Sequence, residues 1–105
     1  MIRINVVREN SKIKKITLMG HANYQEYGRD IVCAAVSATY LCTVNAILSI
    51  DRDAILVNSN NEFQEIVIVN SNDVVIKLLE NMLEMLEELE KQYPKNIRLS
   101  KEENE

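Results

Sequence analysis

The chain contains one histidine, His21, and two cysteines, Cys33 and Cys42. Between residues 20 and 37 it reads Gly20-His21-Ala22, a polar gap ending in Gly28-Arg29, and then Asp30-Ile31-Val32-Cys33-Ala34-Ala35-Val36-Ser37. His21 and Cys33 thus stand just outside the two ends of a short polar loop. A thiol becomes a strong nucleophile when a base removes its proton, and an imidazole titrating near neutrality can be that base. The pairing points to Cys/His chemistry. Met19-Gly20 closes a strand pattern and Asp30 has the residue type of a helix N-cap. Cys33 then falls in the first helical turn, where unpaired backbone N–H groups favour an anion such as a thiolate. Asp30, Cys33 and Ser37 are three and four positions apart and share one helix face. Asp30 can cap the helix or orient His21, although its charge opposes thiolate formation unless the imidazolium intervenes. Ser37 can hydrogen-bond the reacting groups or the carbonyl four residues back. Gly20 and Gly28 bracket the loop, and glycine permits backbone angles that other residues resist. This suits a flap over residues 22–29 that is mobile until a substrate enters and then orders over the cleft.

Cys33 and Cys42 are nine residues apart. At about 100° per residue this puts them on nearly opposite helix faces, where no disulfide can join them. Cys42 reads as a core residue, and Tyr24, Tyr27 and Tyr40 as packing residues. One His and two Cys are too few soft ligands for a structural zinc site, so no metal and no cofactor are expected. A net charge of −4 argues against a general nucleic-acid-binding surface, which requires clustered Lys and Arg, and leaves room only for a small basic patch. The start Met1-Ile2-Arg3-Ile4-Asn5 alternates apolar and polar residues and lacks the pattern of a secretory signal, which leaves the cytoplasm as the expected compartment.

The length of 105 residues, with 47% apolar and 27% charged residues, is that of one globular domain, 1–105, with an acidic tail at 101–105. Met1–Val7 and Lys12–Met19 are rich in β-branched residues around the polar stretch Arg8-Glu9-Asn10-Ser11, the pattern of a hairpin. Ile31–Ile50 runs without a charge and forms a first helix. Its length invites a membrane span, but Ser37, Thr39, Thr43, Asn45 and Ser49 dilute it, and a buried core helix is the better reading. Being apolar most of the way round, it needs cover on more than one side, and a subunit partner supplies what so small a domain cannot. Ala54–Val57 and Phe63–Val69 form a second strand pair around Asn58-Ser59-Asn60-Asn61. From Asp73 to Tyr93, Val75, Leu79, Met82, Leu86, Leu89 and Tyr93 recur at helical spacing opposite a glutamate-rich face. Ser71 or Asn72 caps that helix, Glu87 and Lys91 are ordered for an i,i+4 pair, and Pro94 ends it. A short strand, Asn96–Ser100, follows. The order ββαββαβ predicts an α+β fold, a largely antiparallel sheet covered by two helices.

Gly20-His21-Ala22 and the run from Gly28-Arg29-Asp30 through Cys33 to Ser37 closely resemble the signature of the ribosomal-processing cysteine protease family, Prp. The size, the element order and the ending Tyr93-Pro94-Lys95-Asn96-Ile97-Arg98-Leu99 are also similar to that family. The resemblance implies a cytoplasmic homodimeric endopeptidase that removes the N-terminal extension of the twenty-seventh large-subunit ribosomal protein, cutting after a phenylalanine. It implies Cys33 as nucleophile, His21 as general base, Asp30 and Ser37 in support, and the intervening loop as a cover. The oxyanion is expected on N–H groups near the helix start. The runner-up is a noncatalytic ribosome-assembly factor or peptide-binding dimer, and a weaker third reading is a redox-sensing thiol without a resolving partner.

Overall fold

The computed structural model describes residues 1–26 and 29–104, with elements β1 (Ile2–Glu9), β2 (Lys12–Met19), α1 (Ile31–Ile50), β3 (Ile55–Ser59), β4 (Phe63–Ile68), α2 (Asp73–Gln92) and β5 (Ile97–Asn104). The strands form one sheet in the order β3-β4-β2-β1-β5, antiparallel throughout except for the parallel β1–β5 pair. This is the expected α+β architecture with two helices.

The β1–β2 turn is tighter than the polar stretch suggested. Asn10 and Ser11 alone make it, with φ of 53° and 67°, the left-handed pair that matches strand twist in a two-residue hairpin. The register slips between Val7, opposite Lys15, and Arg8, opposite Ile13. The extra residue, Lys14, makes a bulge. It lets Ile13 and Ile16, three positions apart, both turn inward with Ile4, Val6 and Leu18.

The helices complete a single core cluster. From α2 come Val75, Leu79, Met82, Leu83 and Leu86, and from α1 come Val32, Val36, Tyr40, Val44 and Ile47. Each fully buried aliphatic side chain contributes about 1.5–3 kcal/mol relative to exposure. Asn72 caps α2 by accepting the Val75 N–H at 2.9 Å. The Arg8 guanidinium binds both oxygens of Glu80, at 2.8 and 3.2 Å, and fastens α2 to β1.

Three expectations are corrected. Cys42 is exposed rather than in the core, because the buried face of α1 is the one marked by Val36, Tyr40 and Val44. The acidic tail is largely strand: β5 continues to Asn104 beside β1, since backbone pairing along an edge needs no apolar side chains. Glu87 pairs with Lys101 at 3.3 Å rather than with Lys91, which meets Glu88 at 3.3 Å. As the length of its charge-free run anticipates, α1 buries only one face within this chain. Ala34, Ala38, Leu41 and Asn45 on the opposite side are exposed, as are Ile31 and Ile50 at its ends.

Candidate active site

The site is assembled where β2 ends beside the β3–β4 turn and α1 begins. The register that places Met19 opposite Phe63 brings Gly20 to Glu62, whose carbonyl accepts the Gly20 N–H at 3.0 Å. Gly20 has φ of +87°, and a Cβ there would lie 2.6 Å from the backbone oxygen of Met1. The position therefore requires glycine for conformation and for space. Gly20→Ala should destabilise the fold by about 2 kcal/mol or more and displace His21. The thermal melt would fall, and an unchanged melt would contradict this account of the turn.

Asp30 begins α1 and is buried. Its Oδ1 accepts the Val32 and Cys33 N–H groups, both at 2.9 Å, and its Oδ2 accepts those of Tyr24 at 2.9 Å and Gln25 at 3.3 Å. Burial pushes this carboxyl up, but the backbone donors from Cys33, Tyr24, Gln25 and Val32 outweigh it and hold the pKa below the ordinary 3.8. Asp30 is thus a helix cap that also ties down the loop. Its oxygens are occupied by backbone donors, so it does not orient His21.

The same bonds revise the picture of the helix start. The Val32 and Cys33 N–H groups go to the Asp30 side chain and the Ala34 N–H goes to the Asp30 carbonyl at 3.0 Å. Those three donors are engaged, and the carboxylate offsets the helix-end field at the thiol. The backbone donor that touches sulfur comes from the other side: the Ala22 N–H reaches Cys33 Sγ at 3.3 Å. Ala22 is buried, and its carbonyl accepts from Asn96 Nδ2 at 2.9 Å, so the turn after α2 fixes the His21–Ala22 segment against Cys33. Tyr24 packs edge-on against Tyr93, with ring centroids 5.4 Å apart.

His21 and Cys33 line one open cavity of 560 Å³, within the size range of ligand clefts. Ser37 lines it too, as expected from its spacing, and is exposed. Tyr40, two turns beyond Cys33, is buried in the wall as a packing residue. Burial raises its pKa, which keeps the phenol neutral. The far wall is the β3–β4 turn, including Ser59, Asn61, Glu62 and Gln64. The hydrogen-bond partner of His21 Nε2 is Glu62 Oε1 at 3.3 Å. Gly28 and Tyr27 lie outside the described residues. Among those described, no cluster of three or more His, Cys, Asp or Glu side chains is placed to hold a metal ion.

Sequence spacing located Cys33, His21, Asp30 and Ser37 but not Glu62, the Ala22 N–H or Asn96. Glu62 is 41 positions from His21 and Asn96 is 74 from Ala22. Only the β2–β4 register and the α2–β5 turn bring them near.

A half-buried thiol touched by a backbone donor, with an imidazole on the adjoining residue and an open cleft beside both, defines a hydrolase of the Cys/His class. Residues 1–98 match the family model described as cysteine protease Prp, and the chain belongs to that family of ribosomal processing cysteine proteases. It is 34% identical over 104 residues to the ribosomal processing cysteine protease Prp of Staphylococcus aureus strain Mu50, covering 95% of this chain and 98% of the relative. It is 31% identical over 108 residues to the Bacillus subtilis strain 168 protein of the same name, covering 95% and 96%. The S. aureus Prp crystal structure with a covalently linked product peptide superposes with a TM-score of 0.92 at 33% identity, covering 97% of this chain and all of that one. The S. aureus complex with a substrate peptide gives 0.86 at 32%, with the same coverage.

Proposed function

We propose that this protease removes the N-terminal extension of the twenty-seventh large-subunit ribosomal protein in the cytoplasm, cutting after a phenylalanine, with Cys33 as nucleophile and His21 as general base. The observation that carries the residue roles is the Ala22 N–H bond to Cys33 Sγ, which sets the thiol against the residue next to His21. That donor favours a thiolate, and hydrogen bonds to an ionised group are the strong ones. The imidazole takes the thiol proton, and the thiolate attacks the scissile carbonyl. The C–N bond then breaks as the imidazolium returns the proton to the leaving amine. Water, deprotonated by the same imidazole, hydrolyses the acyl-thioester and frees the thiol. The open cleft of 560 Å³ lies between α1 and the β3–β4 turn, beside both His21 and Cys33, and the two S. aureus complexes each hold a peptide on this fold.

The direct test incubates the purified chain with the ribosomal protein carrying its extension and reads the new N-terminus by mass spectrometry. Release of the extension after a phenylalanine supports the reading, and an intact precursor refutes it.

The protease acts as a homodimer whose subunits meet on the uncovered face of α1. The support is a charge-free helix that one chain buries on a single side. Sedimentation at micromolar concentration should show a dimer, and Ala38→Glu should yield a folded monomer, because Ala38 is exposed in the isolated chain. A wild-type monomer at high concentration would contradict this.

A further inference from the structure

We infer that Glu62 is a positioning residue for His21, holding the Nε2–H so that Nδ1 is the nitrogen that serves the thiol. The inference rests on the reading of His21 as the base, and deepens it. Imidazole has two distinct nitrogens, and the partner of one decides which proton state the other presents. Here Nε2 lies 3.3 Å from Glu62 Oε1. A carboxylate only accepts, so the bond requires a proton on Nε2 and leaves Nδ1 of the neutral ring as the acceptor. Nδ1 is bonded to Cγ and so lies nearer the backbone than Nε2 does, and the N–H of the next residue, Ala22, is the group bonded to Cys33 Sγ. The sulfur is therefore held at the peptide unit that joins His21 to Ala22.

Two further features fit this role. Glu62 is held in place by its own backbone, through the Gly20 N–H to its carbonyl at 3.0 Å and its N–H to Asn60 Oδ1 at 3.1 Å. Asp30, the carboxylate at the start of α1, is engaged by backbone donors and offers no substitute. In the free protein the His21 and Glu62 side chains are 46% and 71% exposed, so the pair adds little to stability. Both residues line the cleft, and a peptide lying in it excludes water from the pair. The orientation then matters most when the proton moves.

The test uses two readouts. In peptide hydrolysis, Glu62→Ala should lower kcat by about ten-fold with KM within about two-fold, and Glu62→Gln should restore most of the rate, because its amide oxygen accepts the same N–H. In a second assay needing no peptide, Glu62→Ala should slow iodoacetamide alkylation of Cys33 several-fold near neutrality in the wild-type background, but should not slow it in the His21→Ala background. Equal slowing in both backgrounds, or none in either, would overturn the role, as would a purely KM effect. If alkylation couples to His21 while the ribosomal precursor stays uncut, the proposed substrate fails and the positioning role stands.

Discussion

Cys33→Ala and His21→Ala should each lower peptide cleavage by at least about 10³-fold while leaving the thermal melt close to wild type, because the proposed reaction finds no second thiol or imidazole among the described residues lining the cleft. Cys33 is only half-buried at the rim of the core and His21 is exposed, so truncation opens no large cavity. Cys42→Ala should keep full activity, since that thiol is exposed on a different face of α1. Steady-state cleavage of a peptide spanning the processing site, read beside circular dichroism, decides these cases. Retained turnover in Cys33→Ala, or loss in a folded Cys42→Ala, would show that the nucleophile has been misassigned.

Asp30→Ala has the largest expected effect on stability. One carboxylate here satisfies two donors of the first turn of α1 and two of the preceding loop. Losing the cap costs about 1–2 kcal/mol, and stranding the two loop donors adds about 1 kcal/mol, for a total of about 2–3 kcal/mol. In a domain of this size the melt should fall by on the order of 15 °C. Activity should fall with it, because the N–H groups of Cys33, Tyr24 and Gln25 share this anchor. The sign with pH follows from the lowered pKa. Asp30 contributes its full stabilisation above the ordinary carboxylate value of 3.8, and that contribution disappears as pH falls through the lower folded value. Asp30→Asn, which keeps one oxygen acceptor, should therefore melt below wild type at neutral pH, with the gap closing toward pH 3. Melts recorded across that range settle the point, and a gap that widens in acid would contradict it.

The elements were legible because their signals are local. The uncharged run Ile31–Ile50 coincides with α1, and the spacing of Val75, Leu79, Met82 and Leu86 with the buried stripe of α2. Strand ends were less legible. A polar residue at an edge carries no record of whether its backbone is paired, so the continuation of β1 to Glu9 and of β5 to Asn104 was hidden. The face of α1 that is buried was hidden for the opposite reason: a helix apolar on every side has no amphipathic pattern to orient it, and Cys42 was misplaced for that reason. Within the site, Asp30, Cys33 and Ser37 belong to one helix face and are readable from their spacing. The partnership of His21 with Glu62, and of Ala22 with Asn96, depends on sheet register and on a turn far along the chain, which no short-range pattern encodes.

The central claim, that Cys33 carries the acyl group during peptide cleavage, is tested most directly by acid-quenching the protease early in turnover and measuring its intact mass and digest. The account predicts a population heavier by the acyl half of the peptide, with the adduct mapped to Cys33 and absent from His21→Ala. Peptide cleavage with an adduct on Cys42, or undiminished in Cys33→Ala, would contradict it.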